Sequence, residues 1–116
     1  MTPWTPKGPL LTFTAATTAP TSVQILSNPT SENAPVCMVT NTSSTVDVVV
    51  GWGNSDQEAK NNSTSALAAG ASIVKACYVL RGTQVTVGIP NGQYVTGITA
   101  SSTAAVWVQA GQGDYS

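Results

Sequence analysis

The chain has 116 residues, enough for one domain with a modest core. Charged residues make up only 8% of it, with a net charge of −1, where soluble domains average about 25% charged. That excludes a clustered basic surface for nucleic acid and long-range steering of charged ligands, and the 41% hydrophobic content excludes wholesale disorder.

Residues 1–12 carry Pro3, Pro6, Pro9 and Gly8, which disfavour helix and leave extended backbone. We read 1–12 as an N-terminal arm bearing Trp4, Pro6, Leu10 and Leu11. It either leads into its own domain or lies on a neighbouring subunit. Residues 13–116 form the domain proper. Within it, short β-favouring runs alternate with turn signals, the pattern of a sandwich or barrel. Thr21–Leu26 is the first run, broken at Asn28-Pro29-Thr30. Pro35–Asn41 and Thr45–Trp52 read as a hairpin around a four-residue turn.

Residues 54–71 predict a long surface loop with at most one helical turn, capped by Asn54 or Ser55 and stopped by the Asn61–Ser65 polar run. Ser72–Arg81 leads into a turn at Gly82-Thr83. Gln84–Ile89 puts Val85, Val87 and Ile89 on one face. After Pro90-Asn91-Gly92 come Gln93–Thr99, a turn at Ser101-Ser102, and Ala104–Ala110, where Val106 and Val108 face away from Trp107. The total is seven or eight strands without a long helix, an all-β antiparallel sandwich.

The chemistry available is sparse. The chain has no histidine, which removes Ser-His-Asp and Cys-His nucleophiles and most metal sites. Cys37 and Cys77 have no metal-ligand spacing. They read as small buried side chains, the alternative being a disulfide between neighbouring strands. The five acids, Glu32, Asp47, Asp56, Glu58 and Asp114, suggest no catalytic pair. Asp47 reads as a solvated strand position, and Asp56 and Glu58 as a cap and a local ion pair with Lys60. Gly51-Trp52-Gly53 lacks the spacing and lysine of a phosphate loop and reads as a bulge or bend. Trp107 reads as core, and Trp4 and Tyr115 as partner contacts. Trp52, with Asp56 and Glu58 of the loop, is the candidate ligand-facing group. No enzyme activity, cofactor or metal is expected. The sequence shows no signal peptide and no run of the ~20 apolar residues that span a bilayer.

The succession from Phe13–Gln24 through Asn41-Thr42, Val48–Gly53, Gly82-Thr83, Tyr94–Ala100 and Val106–Gly113 resembles small virion structural proteins of tailed bacteriophages. The resemblance spans residues 13–113. It implies a jelly-roll or β-sandwich decoration (cement) protein, or a head- or tail-attached adaptor. The decoration protein would bind the major capsid protein or other virion proteins, stabilise the assembled head, often as a homotrimer, and reside on the virion surface. The alternative is a fibre or adaptor protein that binds a host carbohydrate.

Overall fold

The computed structural model describes residues 5–25, 36–69, 75–89 and 92–112. It contains eight strands and one helix: β1 (Thr5–Ala15), β2 (Val23–Gln24), β3 (Val36–Asn41), β4 (Val48–Gly53), α1 (Asp56–Ala69), β5 (Ala76–Val79), β6 (Gln84–Gly88), β7 (Tyr94–Ile98) and β8 (Ala104–Gln112). The strands make two four-stranded sheets, ordered β1-β8-β3-β6 and β2-β7-β4-β5. Every ladder between these strands is antiparallel. First pairs with last, second with seventh, third with sixth and fourth with fifth. A long hairpin rolled in this way into two facing sheets is a jelly roll. The all-β sandwich expected from the sequence is therefore present.

Period-2 alternation builds the core between the sheets. Cys37 and Val39 of β3, Val48, Val50 and Trp52 of β4, Val95 of β7, and Ala104, Val106, Val108 and Ala110 of β8 all point inward, with Phe13, Ala15, Ile25, Val79 and Ile89. Asn41 is fully buried at the end of β3. Its amide donates to the Val46 and Val79 carbonyls at 2.8 and 3.2 Å, and its oxygen accepts the Ser43 N–H at 3.0 Å. This is how a buried amide avoids the penalty of unmet hydrogen bonds.

Several sequence expectations need correction. Residues 35–41 and 45–52 are not a hairpin. β3 pairs with β6 and β8, whereas β4 crosses into the other sheet to pair with β5 and β7. The reason lies in β4 itself, where Val48, Val49 and Val50 are consecutive and all six residues of the strand are buried. Such a strand needs cover on both faces.

The second cover is α1, which replaces the loop expected over 54–71. Ser55 caps it, accepting the Glu58 N–H at 3.1 Å, and Asp56 and Glu58 lie in the first turn. Asp56 pairs with Lys60 one turn on, at 3.1 Å. The Asn61–Ser65 run does not stop the helix, because tertiary contacts hold it. Ala59 and Ser63 are fully buried, and the Asn62 amide donates to the Trp52 carbonyl at 2.7 Å.

Gly51 and Gly53 are regular β4 residues, paired with Thr96 and Tyr94, and not a bulge. A Cβ on Gly51 would sit 2.5 Å from the Ser63 nitrogen, and one on Gly53 2.6 Å from Glu58 Cγ. The glycines let the helix lie directly on the sheet.

The arm boundary at residue 12 falls inside a strand. Residues 5–15 form β1, and Leu10, Leu11 and Thr12 pair with Gln109, Val108 and Trp107 of β8 in the same chain. The ladder shifts register between Pro6 and Leu10, a stretch in which Pro9 has no N–H to donate.

Candidate functional site

The two sheets differ in what covers their outer faces. α1 lies over β4 and β7, so Val49, Thr96 and Ile98 are buried beneath it. The outer face of β1-β8-β3-β6 has no such cover among the described residues.

The ladders line up its residues. Thr12, Trp107, Thr40 and Gln84 form one row across the four strands, and Leu10, Gln109, Met38 and Thr86 the next. Trp107 is 44% exposed and Leu10 49%. The two rows together with Thr42 enclose a shallow depression of about 250 Å³, lined by Leu10, Met38, Thr40, Thr42, Gln84, Trp107 and Gln109. Gln84 donates to the Thr40 hydroxyl at 2.9 Å, and Thr42 donates its hydroxyl to the Ala105 carbonyl at 2.8 Å. None of the described side chains of this face is charged.

The described acids lie elsewhere, and each has its own cation. Asp47 meets Arg81 through the Nε–Oδ1 contact at 3.1 Å and Nη2–Oδ2 at 3.3 Å, and also accepts the Arg81 backbone N–H at 2.9 Å. Arg81 thereby holds the Asp47 carboxyl below the usual carboxylate range. Glu58 pairs with Lys75 at 3.4 Å. Asp56 accepts the Ser22 N–H at 2.7 Å. Hydrogen bonding from Ser22, followed by the Lys60 ammonium, lowers its carboxyl to about 2.

These geometries reassign the residues singled out in the sequence. Asp56 and Glu58 start a helix and tie it to the β2 approach and to Lys75. Trp52 is only 6% exposed and points into the core opposite Val95, so it does not face a ligand. Trp107 is the reverse case, a residue expected in the core that stands in solvent. Val106 and Val108 oppose it as the alternation requires, but β8 turns its small apolar residues inward and the tryptophan outward. Leu10 is exposed on the same face, and Leu11 packs partly against the core. Pro6 lies in β1 opposite Gly111. Trp4 and Tyr115 lie outside the described residues.

Two further large apolar side chains are exposed on the other sheet. Tyr78, in edge strand β5, is 56% exposed, and Leu80, just after it, 55%. Beside them Thr45, Asp47, Arg81 and Ser101 line a second, more polar hollow of about 190 Å³. Nothing in the strand patterns marks either pair, because exposure on a strand depends on which sheet face is left uncovered.

Both cysteines are free. They sit in different sheets, Cys37 in β3 and Cys77 in β5. Burial pushes the Cys37 thiol up to about 12 and the Cys77 thiol up to about 11. Neither is poised as a nucleophile.

Compared with protein families, with curated proteins and with solved structures, the chain gives no match.

Proposed function

We propose that this chain is a virion structural protein, a decoration protein that binds an assembled phage head and stabilises it. The observation that carries the reading is the placement of exposed apolar side chains on a nearly uncharged surface. They occur in two separate places, Leu10 with Trp107 on an uncharged sheet face and Tyr78 with Leu80 at the edge of the other sheet, beside the Asp47–Arg81 ion pair. Aromatic anchors with neutral surroundings are what protein interfaces select, and charged residues are depleted from interface cores. Two such places would let one copy touch two neighbours, which a protein that reinforces a shell requires. The jelly roll supplies a stiff wedge for both. Fold by itself assigns no role, and the resemblance to small phage virion proteins supports this one.

The mechanism is mass action. A ligand that binds the assembled shell and not its separated subunits raises the shell's stability by an amount set by concentration over Kd. The test is co-sedimentation of the purified chain with heads of its parent phage assembled without it. We expect saturable binding that survives high salt, because few charges take part, and a higher melting temperature of the decorated heads. Binding to isolated tails in place of heads would move the assignment to the adaptor role. Failure to sediment with either would sink the virion reading.

A further inference from the structure

We propose that the free edge of β6 is a pairing site, at which two copies of this chain join their β6 strands antiparallel about a two-fold axis through Thr86 and so merge their β1-β8-β3-β6 sheets into one.

Among the described residues β6 has β3 on one side and no strand on the other. The ladder fixes which of its backbone groups are open. The Asn41 N–H donates to the Thr83 carbonyl at 3.0 Å, one step beyond the Thr40–Gln84 pair. Hydrogen-bonded and non-hydrogen-bonded pairs alternate along an antiparallel ladder. Val85 and Val87 therefore turn their N–H and C=O groups to β3, and Gln84, Thr86 and Gly88 turn theirs outward. The other edges are blunted. β1 carries Pro6 and a register shift, β2 has two residues, and β5 has four and is flanked by Lys75 and Arg81. β6 has five residues in unbroken register, with no proline, charge or bulge to turn a strand away.

The strand's own sequence selects a second copy as the occupant. Gln84-Val85-Thr86-Val87-Gly88 is nearly symmetric about Thr86. Laid antiparallel on itself with Thr86 opposite Thr86, it sets the two-fold axis on a hydrogen-bonded pair, and each Thr86 N–H donates to the other Thr86 carbonyl. Gln84 of each copy exchanges the same bonds with Gly88 of the other, so every outward group of the strand is met. A register shifted either way leaves some of them unmet. Val85 falls opposite Val87 of the second copy in the closer, non-hydrogen-bonded pairs, with Cα atoms about 4.5 Å apart. These valines pack against the core yet stay partly exposed at the sheet's edge, and the second copy supplies the missing cover. On the outer face the two Thr86 side chains stand directly opposite, a favourable cross-strand pair. Gln84 lies beside Gly88, where a Cβ would meet nothing within 4 Å. The two-fold uses up both free β6 edges, so association closes at two copies.

This edge is separate from the Leu10–Trp107 and Tyr78–Leu80 patches, so the pairing stands or falls apart from the virion role. The experiment is amide hydrogen exchange by NMR on the full chain at a series of concentrations, with sedimentation equilibrium on the same samples. We expect the mass to climb from one copy to two. In step with it, the Gln84, Thr86 and Gly88 amides should pass from free to slow exchange, while the Val85 and Val87 amides stay protected throughout. Thr86→Pro deletes only an outward N–H, a change that a sheet edge accepts. It removes both hydrogen bonds at the axis and should raise the dimer Kd by at least about tenfold. Thr86→Lys keeps the backbone and sets two ammonium groups opposite each other, so it should weaken pairing at low salt and less so at high salt. Protected Val85 and Val87 amides in the dilute variants would show that β6 still lies on β3. A mass of one copy at every concentration, a mass beyond two copies, association that leaves the Thr86 amide in free exchange, or pairing untouched by both substitutions would overturn the proposal.

Discussion

Gly51 shows how much one missing methyl group decides. The helix comes so close to β4 that a Cβ at this position would lie 2.5 Å from the Ser63 nitrogen and 2.8 Å from its Cα. Both are backbone atoms of a packed helix and cannot swing aside. Gly51→Ala is therefore expected to destabilise the protein by about 1–3 kcal/mol, as overpacking does. Gly88 is the internal control. It is exposed on edge strand β6, and a Cβ there would meet no heavy atom within 4 Å, so Gly88→Ala should change stability by less than about 0.5 kcal/mol. Urea midpoints of the two variants check this directly, and equal midpoints would mean that the helix does not sit on the sheet as described.

At the scale of elements, the strands are legible in the sequence and their partners are not. Val85, Val87 and Ile89 announce β6, and Ala104, Val106, Val108 and Ala110 announce β8, through period-2 spacing that any half-buried strand shows. Pairing in a jelly roll joins residues far apart in the chain, and no local pattern records it. The helix is hidden for a different reason. Asn61, Asn62, Ser63, Thr64 and Ser65 have poor intrinsic helix propensity, each by about 0.5 kcal/mol relative to Ala. The sheet beneath them overrides that preference, through Ser63 on Gly51 and Asn62 on the Trp52 carbonyl. The uncovered face is illegible too, since alternation says that Trp107 opposes Val106 but not which side the helix will cover.

The helix is also tied to the rest of the fold by a titratable contact. Asp56, at its first position, accepts the Ser22 N–H from the chain entering β2. Its folded carboxyl titrates at about 2, below the ordinary value of 3.8. A carboxyl depressed in the folded state adds stability above its unfolded pKa and loses it as pH falls through the folded one. Stability should therefore decline between about pH 4 and about pH 2. Asp56→Asn should flatten part of that decline, and Asp47, whose carboxyl Arg81 shifts in the same direction, contributes to it as well. Urea midpoints measured across this range, for the parent chain and the variant, check the assignment. An identical acid limb in both would remove Asp56 as its source.

For the whole molecule, the nested pairing makes the N-terminal segment part of the scaffold rather than an appendage. The first strand closes on the last, with Leu10 against Gln109, Leu11 against Val108 and Thr12 against Trp107. Contacts between the two ends of the chain are the slowest to find, because loop closure must precede them. Removing residues 1–12 would strip these ladder bonds from β8 and leave its backbone groups as an open edge. It would also withdraw Leu11 from the side of the core. The truncated chain should show a greatly lowered urea midpoint and a tendency to aggregate, and not merely a change in oligomeric mass. Leu11→Ala is the milder form of the same test and should cost about 1–2 kcal/mol, in proportion to the apolar surface it withdraws. A truncated chain that keeps the parent midpoint while losing only its association would make 1–12 a dispensable arm lying on a neighbour. A collapse of stability in the truncated chain, with a proportionate loss in Leu11→Ala, would make β1 the strand that locks the roll.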